Sequence, residues 1–167
     1  MSHFPEEDGN LQRQAFRRTV HRVWAMIQAD LIDEMSDAED RLARILLDHT
    51  EYEDVFEDEE VLDGHEFYTG PEGNPFLHVS FHKMVEDQLE SGRITELRLF
   101  FEAMAVRGYE RHEVIHAAIE ILLYLLYSSL SQDLPLDVKR YQLLLTKYSS
   151  LRLEDISEAL KLEFGSH

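Results

Sequence analysis

Two stretches of the chain each set a histidine, a second histidine four residues on and a glutamate eight residues on. They are His78–Leu89, HVSFHKMVEDQL, and His112–Leu123, HEVIHAAIEILL. His78, His82 and Glu86 in the first answer to His112, His116 and Glu120 in the second, and the apolar Phe81, Val85 and Leu89 answer to Ile115, Ile119 and Leu123. At about 100° per helical residue, the three polar positions point to roughly 0°, 40° and 80°. Each helix therefore carries two imidazoles and a carboxylate along one stripe bordering its apolar face. Two such helices packed side by side would bring four imidazoles and two carboxylates into a bundle interior, which is how helical bundles build metal sites.

Neutral imidazole is the commonest metal ligand, and a spacing of four residues on a helix lets two of them share an ion. The expected ligands are His78, His82, His112 and His116, with Glu120 a ligand or general base and Glu86 its weaker equivalent. A mixed set of nitrogen and oxygen donors suits zinc, iron, manganese or nickel better than calcium, as one ion or two. An ion with an open position would activate water for a hydrolytic or oxidative role, whereas one closed by six side chains would be structural, stored or sensed. The alternative is metal-free: the imidazoles, Glu86 and Glu120 hydrogen-bond to one another as a buried polar network inside a non-enzymatic interaction or assembly module. His49, His65, Glu51, Glu53 and Glu102 are further residues of ligand type. No G-x-S-x-G elbow, P-loop or G-x-G-x-x-G motif supports a serine-hydrolase or nucleotide reading.

The elements that must position these residues are helices. The chain has 167 residues, 44% of them apolar, enough for one buried core. It has no cysteine, so any metal is held by nitrogen and oxygen, and a reducing cytoplasm is the compartment that fits. A formal charge of −18 opposes nucleic acid and anionic lipid. The N-terminus lacks a signal pattern, and the longest apolar run, Ile121–Tyr127, is short for a bilayer span, so a soluble protein is expected.

Periodic apolar residues predict a first helix from near Leu11 through Phe16, Val20, Trp24 and Leu31. Its basic residues Arg13, Arg17, Arg18 and Arg22 read as a solvated face pairing with carboxylates, ahead of a specific anion site. Ser36-Asp37-Ala38-Glu39 has the form of a capping box and starts a second helix ending near His49. The acidic segment from Glu51 to Glu66, followed by Gly70, Pro71 and Gly73, predicts a surface loop or short helical turns, without the EF-hand spacing for calcium. Asn74-Pro75 starts the helix of the first stripe, and Ser91-Gly92 stops it. A connecting helix runs from near Ile94 to Gly108, and the second stripe's helix from about Tyr109 to Leu130. An up-down-up path through these three would leave the stripes parallel, with His78 level with His112 and Glu86 level with Glu120. Periodicity resumes at Val138–Tyr148 and at Ile156–Leu162. No strand alternation of useful length is present, so the fold class is all-α, a single-domain helical bundle of about six to seven helices.

The block NPFLHVSFH at Asn74–His82, Asp87-Gln88 and the frame of His112, His116 and Glu120 resemble an uncharacterised bacterial domain-of-unknown-function family, number 1841 in its series. Weaker likenesses are the region of Phe16 and Trp24, Glu39 at its helix start, and His49-Thr50-Glu51-Tyr52, which is similar to the family's His-Pro-Glu-Tyr element. The resemblance covers residues 12–130 and implies a fold and a family without a reaction. Thr50 departs from the pattern's proline, Glu53 stands where the family tends to have a further His, and Ile115 where it tends to have Glu. The family's acid before Gln corresponds to Asp87, not Glu86. These readings divide the chain into a flexible tail at 1–10, a helical bundle with the family core at 11–131 and a C-terminal helical extension at 132–167. The extension, with Tyr141 and Tyr148 expected to be exposed, offers a surface for a protein partner or a homodimer.

Overall fold

The computed structural model describes residues 6–67 and 73–165, and among these the chain forms eight α-helices and no strand. The all-α class holds. The count exceeds the expected six to seven because the acidic segment contains a five-residue helix as well as 3-10 turns. The chain divides into two compact units, Met1–Lys83 and Met84–His167.

In the first unit, α1 spans Glu6–Gln28, α2 Asp37–Leu47 and α3 Glu53–Glu57. Helix α4, Pro75–Ser91, contributes residues to both units. Helix α1 starts before the expected Leu11. The helix thus takes in residues 6–10 of the expected tail, and residues 1–5 lie outside the described residues, as do Gly70 and Pro71.

The capping box forms as its spacing demands. The Glu39 backbone N–H donates to Ser36 Oγ at 3.4 Å, and the Ser36 N–H donates to Glu39 Oε2 at 2.8 Å. The Arg22 guanidinium, then the Ser36 donors, hold the Glu39 carboxyl down to about 2 from an ordinary 4.5. Helix α2 is thus fixed at its start, and its end carries His49. The core of this unit gathers Val20, Val23, Trp24, Leu42, Leu46, Phe56, Phe76 and Val79. Trp24 and Phe56 rings meet at 5.6 Å, and Trp24 Nε1 donates to Glu57 at 3.1 Å, which satisfies the one polar atom that its burial brings inside.

Asn74 caps α4 through its Oδ1, which accepts from the Leu77 N–H at 3.1 Å, and Pro75 occupies the first helical position, where no N–H is needed. Gly92, at φ +61°, ends the helix in a conformation that side chains with a Cβ rarely take.

The second unit contains α5 (Thr95–Val106), α6 (Arg111–Ser131), α7 (Val138–Tyr148) and α8 (Ile156–Phe164). Helix α5 packs on α6 and α7, and α6 packs on α7 and α8. By length and composition α6 could cross a membrane, with a window of mean hydropathy 1.6, more than the run Ile121–Tyr127 suggested; half of that window is buried, as in a core helix. Tyr141 and Tyr148, expected at the surface, are instead fully buried in the core with Leu144 and Leu145. Burial pushes both phenols up, and their hydroxyls reach Gln88 Oε1 at 3.4 Å and Glu163 Oε2 at 2.9 Å. Their exposure therefore gives no support to an interaction surface.

Candidate metal centre

Three imidazoles of the first unit pack together. His49 follows α2 and is 1% exposed; His78 and His82 lie one turn apart on α4, and His82 is also 1% exposed. The His49 ring stands edge-on to His78 at 4.7 Å and to His82 at 4.3 Å, while Tyr52 stacks parallel to His49 at 6.1 Å. His49 Nδ1 is 2.6 Å from the Ile45 carbonyl oxygen. A carbonyl can only accept, so Nδ1 carries the hydrogen and the lone pair of the neutral ring sits on Nε2. That Nε2 lies 2.9 Å from His78 Nε2. With both rings neutral, His78 donates and His49 accepts, so His49 offers a lone pair and His78 a proton.

In the second unit, His112 and His116 stand one turn apart on α6 with their Nε2 atoms 3.1 Å from each other and ring centroids 4.6 Å apart. Nitrogens each about 2.0–2.1 Å from one ion are about 2.9 Å apart when they subtend a right angle and about 3.4 Å apart at a tetrahedral angle. The observed spacing lies between those two. His112 is half-buried and His116 is exposed.

His49 and His82 of the first unit and His112 and His116 of the second are residues of a group that could hold a metal ion. Of the six residues read as ligands from the stripes, this set includes His82, His112 and His116. His78, Glu86 and Glu120 are outside it. His78 is turned to His49. Glu86 bonds Arg111 at 2.6 Å, and that guanidinium also lies 5.3 Å from the centre of the Phe101 ring. Glu86 thus meets the start of α6 and does not stand level with Glu120, so the expected parallel register of the stripes does not form. Glu120 is half-buried.

His49, only a supplementary candidate by sequence, belongs to the set. The signal that pointed to it was the His49-Thr50-Glu51-Tyr52 stretch, whose Tyr52 is the residue stacked on its ring. The other supplementary candidates do not join. His65 is exposed and packs on Phe67, Glu102 pairs with Arg98 at 2.7 Å, and Glu51 and Glu53 are exposed.

No curated protein and no solved structure matches the chain. The family model for the domain of unknown function DUF1841 matches residues 12–147. This match runs beyond the 12–130 covered by the motifs and takes in nearly all of α7, which pattern reading had left outside. With most of its length matched, the chain belongs to the DUF1841 family, a domain of unknown function.

Proposed function

We propose that the chain binds one transition-metal ion through His49, His82, His112 and His116. The observation that carries this reading is a pair of imidazoles in each unit, His49 and His82 with ring centres 4.3 Å apart and His112 and His116 with Nε2 atoms 3.1 Å apart, which belong to a group that could hold an ion. Because the carboxylates fall outside the group, the donors are all imidazole, a set that favours zinc, iron or nickel over the oxygen-seeking manganese and calcium. The bond from His49 Nδ1 to the Ile45 carbonyl supports it further, since a ligand imidazole commonly donates its other N–H to a backbone carbonyl and is oriented by it. His116 is exposed, which gives an ion a route in and leaves room for a water or a substrate anion as a further ligand. A bound ion would supply Lewis acidity there, and a hydrolytic role is the reading for that open side. The proposal includes a cytoplasmic protein that binds neither nucleic acid nor membrane; a charge of −18 and the lack of cysteine support it.

A second reading has its own observation. The Nε2 atoms of His49 and His78, and those of His112 and His116, already lie within hydrogen-bond distance as pairs, so a metal-free polar network also satisfies them.

Elemental analysis separates the two readings, on protein purified without chelator or a metal-affinity column. The metal reading expects close to one equivalent of zinc, iron or nickel, or its uptake on titration. Less than a tenth of an equivalent of every transition metal, with no uptake, leaves the metal-free network.

A further inference from the structure

Helix α1 carries four arginines in its first unit, and they divide into two kinds. Arg18 and Arg22 pair with Asp63 and Glu39, as a solvated basic face in an acidic chain should. Arg13 and Arg17 make no ion pair among the described residues. Both line a cleft of about 790 Å³, together with Asn10, Gln14, His65 and Asn74. A second cleft, of about 240 Å³, shares Arg13, Arg17 and Asn74 with the first and adds the apolar Phe16, Phe76 and Leu77.

Arg17 is held for a purpose other than neutralising an acid of its own chain. Its Nη1 donates to the carbonyls of Val61 at 2.8 Å and His65 at 2.9 Å. Its guanidinium carbon lies 5.2 Å from the centre of the Phe67 ring and 5.4 Å from that of Phe76. Those contacts fix the plane of the fork, and no carboxylate among the described residues pairs with it. Burial and the neighbouring charge of Arg13 both push its pKa down, so the two cations raise each other's energy until an anion joins them. Glu66 also lines the larger cleft but pairs with neither arginine.

Two guanidinium charges match a dianion better than a carboxylate, and their forked N–H groups fit phosphate oxygens. The apolar cleft alongside calls for an uncharged organic part. We propose that the two clefts bind a small phosphate monoester, its phosphate at Arg13 and Arg17 and its organic part on Phe16, Phe76 and Leu77. The larger cleft falls within the size range of small-molecule sites, about 300–1,000 Å³. This proposal does not rest on the metal reading.

Phenyl phosphate is the probe, with inorganic phosphate and phenol to separate its two halves, in calorimetric titration of the full chain. Phenyl phosphate is expected to bind, more tightly than inorganic phosphate, while phenol shows no binding. Arg13→Ala loses no partner among the described residues, so its melting temperature without ligand should match the parent, and its affinity for phenyl phosphate should fall at least about tenfold. Arg18→Ala, which breaks only the surface pair with Asp63, should bind like the parent. No heat with phenyl phosphate overturns the proposal. So does an Arg13→Ala variant that binds normally, or an Arg18→Ala variant that loses as much as Arg13→Ala. Co-sedimentation with phosphatidate vesicles that Arg13→Ala abolishes would overturn it in favour of a lipid headgroup.

Discussion

On α4, the imidazole of His82 is 1% exposed and stands edge-on to His49 at 4.3 Å; on α6, the imidazole of His116 is exposed and bonds back to His112 within its own helix. The two pairs have the same spacing and different surroundings. Helical geometry aims each pair along a stripe, but what packs against that stripe decides whether the rings are enclosed. For α4 the enclosure comes from the chain following α2, which delivers His49 and Tyr52. The first pair is therefore a trio with an aromatic wall, and its tautomers are set by a backbone carbonyl. The second pair carries the bond between His112 and His116, set by its own helical repeat.

The largest effect that would sharpen this contrast is on stability without metal. His82→Gln should destabilise the chelated protein by about 1–3 kcal/mol, because a buried polar group loses its packing and partners. His116→Gln should stay within about 0.5 kcal/mol, while both variants lose the ion. Urea unfolding in chelator measures the first difference; equal losses would mean that the pairs are equally enclosed. A smaller effect concerns His78. Its N–H competes with an ion for the His49 lone pair, so His78→Phe is expected to tighten metal binding by up to about tenfold. A fall in affinity on titration would return His78 to the ligands. The smallest effect lies in the helix that delivers His49. The Glu39 carboxyl is held near 2, below its ordinary 4.5, so it stabilises the fold above about 4.5 and ceases to do so as pH falls through about 2. Glu39→Gln should lower the midpoint of unfolding at pH 7 and not at pH 2; a gap between parent and variant that is the same at both values would refute the assignment.

Local signals carried much of the fold. Ser36 with Glu39, Asn74 with Pro75, and Gly92 each act on backbone groups within a few residues, so the types and spacing alone located the ends of α2 and α4. Three of the four imidazoles in the candidate centre were legible for the same reason, since His82, His112 and His116 lie on periodic stripes. His49 was harder to read because it stands beyond a helix end, and only tertiary packing brings it beside α4. Glu86 misled because its partner, Arg111, is twenty-five residues away and outside the repeat. Tyr141 and Tyr148, expected to be exposed, sit on the apolar face of α7, where their periodicity with Leu144 and Leu145 was the better guide and Gln88 and Glu163 answer their hydroxyls.

The exposure of one ring of four has a kinetic meaning. Only one hydrogen fits on the line between the Nε2 atoms of His112 and His116, and it must leave before both nitrogens can face a common ion. From His116 it can pass straight to bulk water, with no opening of the interior. An ion arriving at this pair would thus wait on no buried proton, so that rapid mixing with cobalt or nickel should show a fast spectral phase that His116→Gln removes.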